Sequence, residues 1–163
     1  METLASIFLF LHIGGAIAAF GPTIAFGLIG PMAGKEPMHG NFALRIIAHV
    51  TERVVEPGAL FVFLMGIGLI WSKGWNPFNT LWLALAIILF LITLSVSVFV
   101  QLPTVKKMIA MTSAPPPAPA EGQGPPGPPP GFVELQRRSA MGGQFLALML
   151  FTILFLMVFK PTL

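Results

Sequence analysis

Four long apolar stretches alternate with shorter polar segments along the chain. They cover about residues 4–31, 57–72, 80–102 and 140–159, and none of them contains Asp, Glu, Lys or Arg. An α-helix of ~20 apolar residues crosses the ~30 Å hydrocarbon layer of a membrane. The pattern therefore predicts an all-α fold, an integral membrane bundle of four transmembrane helices, formed by a single domain over residues 1–163.

A polar segment, residues 41–56, leads into the second stretch and is predicted to extend its helix. Steps of four, three and four residues place four of its ionisable side chains on one helical face, with a fifth on the flank and apolar residues opposite. These five residues, called the polar cluster below, are Arg45, His49, Glu52, Arg53 and Glu56. Asn41 is the expected N-cap. Pro57 is expected to kink the helix.

Turn and breaker residues indicate the other boundaries. Asn76-Pro77 is expected to open the third helix, Pro103 to end its span and Phe132 to begin the fourth helix. Residues 113–131 contain nine prolines and four glycines, which predicts a disordered or polyproline-like loop. A ligand for a proline-recognising domain is the alternative interpretation of this loop.

The basic residues are distributed unequally between the two ends of the predicted bundle. Two lie at one end, Lys73 and Lys160, and seven at the other: Lys35, Arg45, Arg53, Lys106, Lys107, Arg137 and Arg138. Cytoplasmic loops are enriched in Lys and Arg, so both termini are expected on the outer side. A cleaved signal peptide competes for the first stretch, but Glu2 stands where such peptides are basic and the apolar run continues past Ala18.

The composition excludes several kinds of chemistry. The chain has no Asp, Tyr or Cys, which rules out disulfides, thiolate metal sites and Ser-His-Asp triads. Its formal charge of +3 is dispersed, so no nucleic-acid partner is predicted. The lipid bilayer is the expected partner, with a homo-oligomer or another membrane protein as candidates. Met32, Met38 and His39 have low specificity as soft-metal ligands, and no metal site is predicted.

His12 is the one histidine inside an apolar stretch. An ionisable side chain at that depth suggests function, and Gly15 and Ala19 on the same face would admit either a flat ligand or a close neighbouring helix. A neutral imidazole is a common ligand of haem iron. Two interpretations of His12 stay open. It has a functional role, either as a cofactor-binding ligand of haem b or as a proton relay, or it is a structural histidine bonded to a neighbouring helix.

The polar cluster likewise has two interpretations. Its spacing fits solvated ion pairs on a helix surface as well as a functional group of side chains. Glu56 favours the functional interpretation, because a carboxylate beside an apolar span is costly and suggests function. It needs a partner, and Arg53, Arg137 and Arg138 are available. His12 and His49 lie towards opposite membrane faces and are not expected to hold one cofactor together.

Several segments resemble a known group of membrane proteins. They are LHIGGAIAAFGP in the first helix, EPGALFVFLMGIGLIW in the second, the Gly74-Trp75 turn and the terminal VFKPTL. The layout resembles an uncharacterised bacterial family of predicted four-helix integral membrane proteins, distantly similar to the HemJ-type protoporphyrinogen oxidase and the copper-resistance D domain. The resemblance implies a multi-pass protein of the bacterial inner (plasma) membrane. His12 matches the haem-ligating histidine of those enzymes, and residues 53–57 resemble their arginine-to-proline run.

The sequence leaves three hypotheses for the function of the protein. The enzymes resembled carry a histidine in the third helix, whereas residues 81–102 contain none. This difference favours a non-enzymatic accessory or assembly protein over a haem b-binding redox enzyme, and no catalytic residue is assigned. A subunit for proton or metal transport, gated by His49, Arg53 and Glu56, is the third hypothesis, although polar residues that could line a path are few.

Overall fold

A computed structural model of the chain describes residues 2–113 and 127–161. Six α-helices and two π-helical turns are present in this part, and it contains no β-strand. The helices are α1 (Glu2–Lys35), α2 (Pro37–Val50), α3 (Glu56–Lys73), α4 (Leu81–Val96), α5 (Leu102–Thr112) and α6 (Phe132–Phe159). They form four helical runs long and apolar enough to cross a membrane. The predicted all-α four-helix architecture is confirmed.

Two π-helical turns join helices into longer runs. Thr51–Val55 joins α2 to α3, and Ser97–Gln101 joins α4 to α5. Each is followed by one residue and then a proline, Pro57 or Pro103. A proline ring lacks an N–H and clashes with the carbonyl four residues earlier, and a wider π-turn gives that carbonyl room.

The π-turns lie beside two prolines for which a kink or an end of the span was expected. Pro57 follows a widened turn in a helix that continues on both sides, and Pro103 does not end the third helix, which continues to Thr112. Pro22 and Pro31 likewise lie inside α1, a single helix of 34 residues. Prolines in these long helices therefore modify the hydrogen bonding locally without ending the helix.

Two predicted helix starts are wrong. The second helix begins at Pro37, so Asn41 is not its N-cap; the Asn41 amide instead donates to Ile109 O of α5 at 3.0 Å and to Thr112 Oγ1 at 2.9 Å. The third helix begins at Leu81, because Asn76 Oδ1 accepts the Phe78 N–H at 2.9 Å and forms a turn first. The fourth helix begins at Phe132 as predicted.

The main helix pairs are α1 with α3, α4 with α6, and α2 with α5. One small core packs at the end near Trp75 and comprises Trp82, Leu83, Ala86 and Leu156; another packs at the opposite end and comprises Ala48, Leu102 and Val105. Between them Phe63 of α3 stacks on Phe90 of α4, with ring centroids 5.4 Å apart. Large apolar side chains face outwards, such as Phe10 and Phe151, 75% and 67% exposed, as lipid contact requires.

The end of α6 is joined to the turn that follows α3. Lys160 Nζ lies 5.1 Å from the ring centroid of Trp75 and 5.8 Å from that of Trp82. The two indoles meet edge to face with centroids 5.5 Å apart. This cation–π arrangement ties three parts of the chain together at one end of the bundle.

The predicted Pro-rich loop, residues 113–131, lies mostly outside the described residues. Its last described part, residues 127–131, leads to Gly131 with φ of 80° before α6. Glycine adopts this left-handed conformation without a steric penalty.

Candidate functional site

The interface between α1 and α3 is built from small residues that bring the two backbones together. A Cβ added to Gly58 would lie 2.5 Å from Ala19 Cβ and 3.3 Å from Ala19 Cα, and one added to Gly15 would lie 3.1 Å from Val62 Cγ2. Gly14, by contrast, has nothing within 4 Å of such an atom. Gly15 and Ala19 were expected to admit either a flat ligand or a close neighbouring helix. In the structure the neighbouring helix α3 lies against them.

His12 lies in the same interface and is tied to α3. Its Nδ1 lies 2.8 Å from the carbonyl oxygen of Val62. Because a carbonyl can only accept, Nδ1 is the donor in this bond. The ring also covers Gly66, where an added Cβ would lie 3.1 Å from His12 Cε1. This is the arrangement of a structural histidine bonded to a neighbouring helix.

The residues around His12 do not fit a haem held between α1 and α3. The imidazole itself fills the space above Gly66, the Phe8 ring fills that above Gly68, and Phe61 and Val62 fill that above Gly15. Each of these glycines is therefore covered by a side chain of the facing helix. To admit a haem, α1 and α3 would have to move apart. Haem ligation by His12 stays a prediction from the sequence.

The polar cluster is divided between two directions. Arg45 and His49 are exposed and line a shallow groove of about 280 Å³ on α2 with Phe42, Ile46 and Val50. Glu52 instead reaches α5, where its Oε1 lies 2.5 Å from Lys106 Nζ. The spacing argument assumed 3.6 residues per turn, but Glu52 and Arg53 lie within the π-turn Thr51–Val55, which has a larger repeat, and Glu56 follows it.

Lys106 also favours the ionised form of Glu52, which lies in the polar segment before the apolar span. Its hydrogen bond and positive charge hold the pKa of the Glu52 carboxyl below the ordinary value. Both side chains are partly exposed, 56% for Lys106 and 37% for Glu52, so water screens the pair. Glu52 is thus an ionised carboxylate that links the first π-turn to α5.

Glu56 is different, because part of its carboxyl group has no partner. Oε1 is buried and makes no hydrogen bond to any described residue. The partners expected from the sequence, Arg53, Arg137 and Arg138, are exposed and form no ion pair with it in the described part of the chain. A buried oxygen without a bond is costly and requires a physical explanation.

A polar contact that the sequence did not indicate lies beside the second π-turn. Gln101 Nε2 donates to the carbonyl and to the hydroxyl oxygen of Ser139, both at 3.1 Å. Gly142 leaves space for the Gln101 side chain, since an added Cβ would overlap its Oε1. A glutamine at the end of an apolar run and a glycine in the facing helix were the available signals, but nothing in the sequence paired them.

The fold and these contacts define the class of protein: a multi-pass integral membrane protein whose four apolar helical runs are joined by polar contacts at one end. The chain belongs to the family described as predicted integral membrane protein (DUF2269), whose model matches residues 6–161. This agrees with the uncharacterised membrane family expected from the sequence. Neither a curated protein nor a solved structure matches the chain.

Proposed function

We propose that this protein is a non-enzymatic accessory or assembly protein of the bacterial inner membrane, which binds another membrane protein through the exposed face of α2. The observation that carries the proposal is the exposure of Arg45 and His49. Both line the shallow groove on α2, while Asn41 and Ala48 of the same helix contact the rest of the fold.

The polar groups deeper in the bundle support a scaffold rather than an active site. His12 bonds to Val62 of α3, and Gln101 bonds to Ser139 of α6. Such interhelical bonds stabilise membrane bundles by about 0.6–1.7 kcal/mol each. His12, the histidine inside an apolar span, is thereby engaged in holding helices together.

Site-specific photo-crosslinking in native membranes tests this proposal. A photoreactive phenylalanine analogue in place of His49 is expected to give one discrete protein adduct, identified by mass spectrometry. Asn79, exposed in the loop at the other end of the bundle, is the matched control position and is expected to give none. Equal labelling at both positions, or none at His49, would contradict the proposal; an adduct at twice the chain mass of 17.5 kDa would identify a homo-oligomer instead.

A proton-transport subunit is the second candidate, and Glu56 favours it. A carboxyl group with a buried, unpartnered oxygen at the start of α3 can accept or release a proton without first breaking a hydrogen bond of the fold. Glu52 and Lys106 are the nearby charges that would influence it. Carboxyl groups at such depths are characteristic of proton pathways.

Proton flux into liposomes with an entrapped pH dye separates this candidate from the first. Transport requires that wild type conduct protons and that Glu56→Gln abolish the flux. Glu134→Gln, at an exposed position in the first turn of α6, is the control and should conduct like wild type. Wild-type liposomes no leakier than empty ones would eliminate the transport candidate.

The haem hypothesis is tested by an absorption spectrum of the purified protein, oxidised and dithionite-reduced. Under the accessory proposal the spectrum has no Soret band. A stoichiometric band that disappears in His12→Ala would replace this proposal with the haem b redox protein implied by the resemblance to HemJ-type enzymes.

The proposal also includes an orientation, with both termini outside and α2 at the cytoplasmic end. The positive-inside bias supports it. Ser72 is buried, so cysteine at Asn79 is the better outer reporter, with Ser113→Cys as the inner one. Asn79→Cys should be labelled by an impermeant maleimide in intact cells and Ser113→Cys only after permeabilisation; the reverse pattern would invert the orientation.

A further inference from the structure

A groove between α5 and α6 combines two cations with an apolar floor. It has a volume of about 210 Å³ and is lined by Phe99, Val100, Pro103, Thr104, Lys107, Leu135 and Arg138. The lining contains Lys107 and Arg138 but no carboxylate. Neither cation forms an ion pair with a described residue, so the fold as described does not neutralise them.

The register of the two helices places the cations and the apolar residues at different depths. α5 and α6 are held side by side by the Gln101–Ser139 bond, and Arg138 directly precedes Ser139. Lys107 lies further from the apolar span, six residues or about 9 Å beyond Gln101 along the helix. Phe99, 76% exposed, and Val100 lie on the opposite side of Gln101, towards the membrane interior.

We infer that this groove binds an anionic phospholipid, with its phosphate between Lys107 and Arg138 and an acyl chain along Phe99 and Val100. Charge complementarity carries the assignment, because two cations without a carboxylate attract a monoanionic phosphodiester. The apolar part distinguishes a lipid from free phosphate, which has no group to place on Phe99. A guanidinium beside an ammonium provides both a planar donor pair and a point charge.

Lipid binding can be measured on the full chain in a neutral detergent by native mass spectrometry. Short-chain phosphatidylglycerol and phosphatidylcholine are titrated separately, so that the tails match and the headgroup charge differs. Wild type is expected to retain phosphatidylglycerol at least about tenfold more tightly than phosphatidylcholine. Inorganic phosphate at the same concentration should not displace the bound lipid.

The variant Lys107→Gln/Arg138→Gln tests the groove itself. Each removed cation is expected to weaken phosphatidylglycerol binding about fivefold, from the ~1 kcal/mol that a basic residue contributes near an anionic surface. Lys35→Gln/Lys73→Gln removes the same charge from exposed positions of α1 and α3 and should leave the preference intact. Thermal unfolding in lipid-free detergent verifies that both variants are folded.

Three results would overturn the inference. The first is equal binding of phosphatidylglycerol and phosphatidylcholine by the wild-type protein, a result that can be interpreted without any variant. The second is an equal loss of preference in the two double variants, which would indicate general surface charge. The third is displacement of phosphatidylglycerol by inorganic phosphate at the same concentration. This would show that the groove binds anions without selecting a lipid.

Discussion

The contact between α1 and α3 and the contact between α2 and α5 are held together in different ways. The first relies on shape, since Gly58 lies directly against Ala19 and its one side-chain hydrogen bond comes from His12. The second relies on directional groups: Asn41 of α2 is bonded to Ile109 and Thr112, and Glu52, in the π-turn that follows α2, is paired with Lys106. Within a membrane, close packing supplies most of the attraction between helices, whereas at the polar end water competes for every bond.

The difference indicates where this molecule can change. A close-packed contact has one good geometry, and any added atom is costly. Polar contacts near water can exchange partners at little cost. The close-packed α1–α3 pair is therefore expected to tolerate substitution least, and the polar contacts with α5 are expected to tolerate it better.

The largest expected effect comes from Gly58→Leu. The added Cβ alone would come within 2.5 Å of Ala19 Cβ, so the helices must separate, at a cost of about 3 kcal/mol or more. Gly14→Leu places the same side chain where nothing lies within 4 Å and should change stability little. Unfolding in mixed micelles of increasing denaturing detergent measures both, and equal destabilisation would show that α1 and α3 do not pack as described.

His12→Ala should cost about 1–2 kcal/mol, because it removes the bond to Val62 and leaves a void above Gly66. His39→Ala, which removes an exposed histidine bonded to Glu36, should stay within about 0.5 kcal/mol of wild type.

Gly66→Ala should be tolerated better in the His12→Ala background than in wild type, because the His12 imidazole occupies the space that the added methyl group would need. Additive free energies of unfolding would refute this contact.

Glu56→Met should change stability in the opposite direction. Replacing a carboxylate whose Oε1 is buried without a partner by an apolar side chain of similar length is expected to stabilise the fold by about 1 kcal/mol. Glu134→Met, at the exposed start of α6, is the control and should have a smaller effect. Destabilisation by Glu56→Met would mean that the carboxylate has a stabilising partner.

The smallest expected effect is that of the Glu52–Lys106 pair, which is accessible to water. Glu52→Gln should weaken the α2–α5 contact slightly at low salt and hardly at all at high salt. Because Lys106 lowers the pKa of Glu52 from its ordinary value of 4.5, the stabilisation is complete above that value and is lost as the pH falls below it. A double-mutant cycle with Lys106→Gln, repeated at pH 7 and pH 3, measures this dependence.

The apolar part of the fold was largely predictable from the sequence. Uncharged stretches have few ways to satisfy their backbone groups in a membrane except as helices, and Gly15 with Ala19 indicated a close helix contact that Gly58 and Val62 complete. Phe132 was predictable as a helix start because glycine and proline precede it.

The polar end was much less predictable. The alignment of His49 with Glu52 and Glu56 assumed a uniform α-helical repeat, and the π-turn before Glu56-Pro57 changes it. Lys106, which binds Glu52, is more than fifty residues away in the sequence. Contacts over such separations follow from the packing of whole helices, and no local spacing encodes them.

The Lys160 contact with Trp75 and Trp82 has a consequence for the order of synthesis. A ribosome completes α1 and α3 well before it reaches α6, so the close-packed hairpin can assemble while the rest of the chain is still being made. The two indoles acquire their cation only after the whole of α6 has been made. A chain truncated before Lys160 would be inserted with its first hairpin intact and its Trp75 end open, as the growing chain is until α6 is complete.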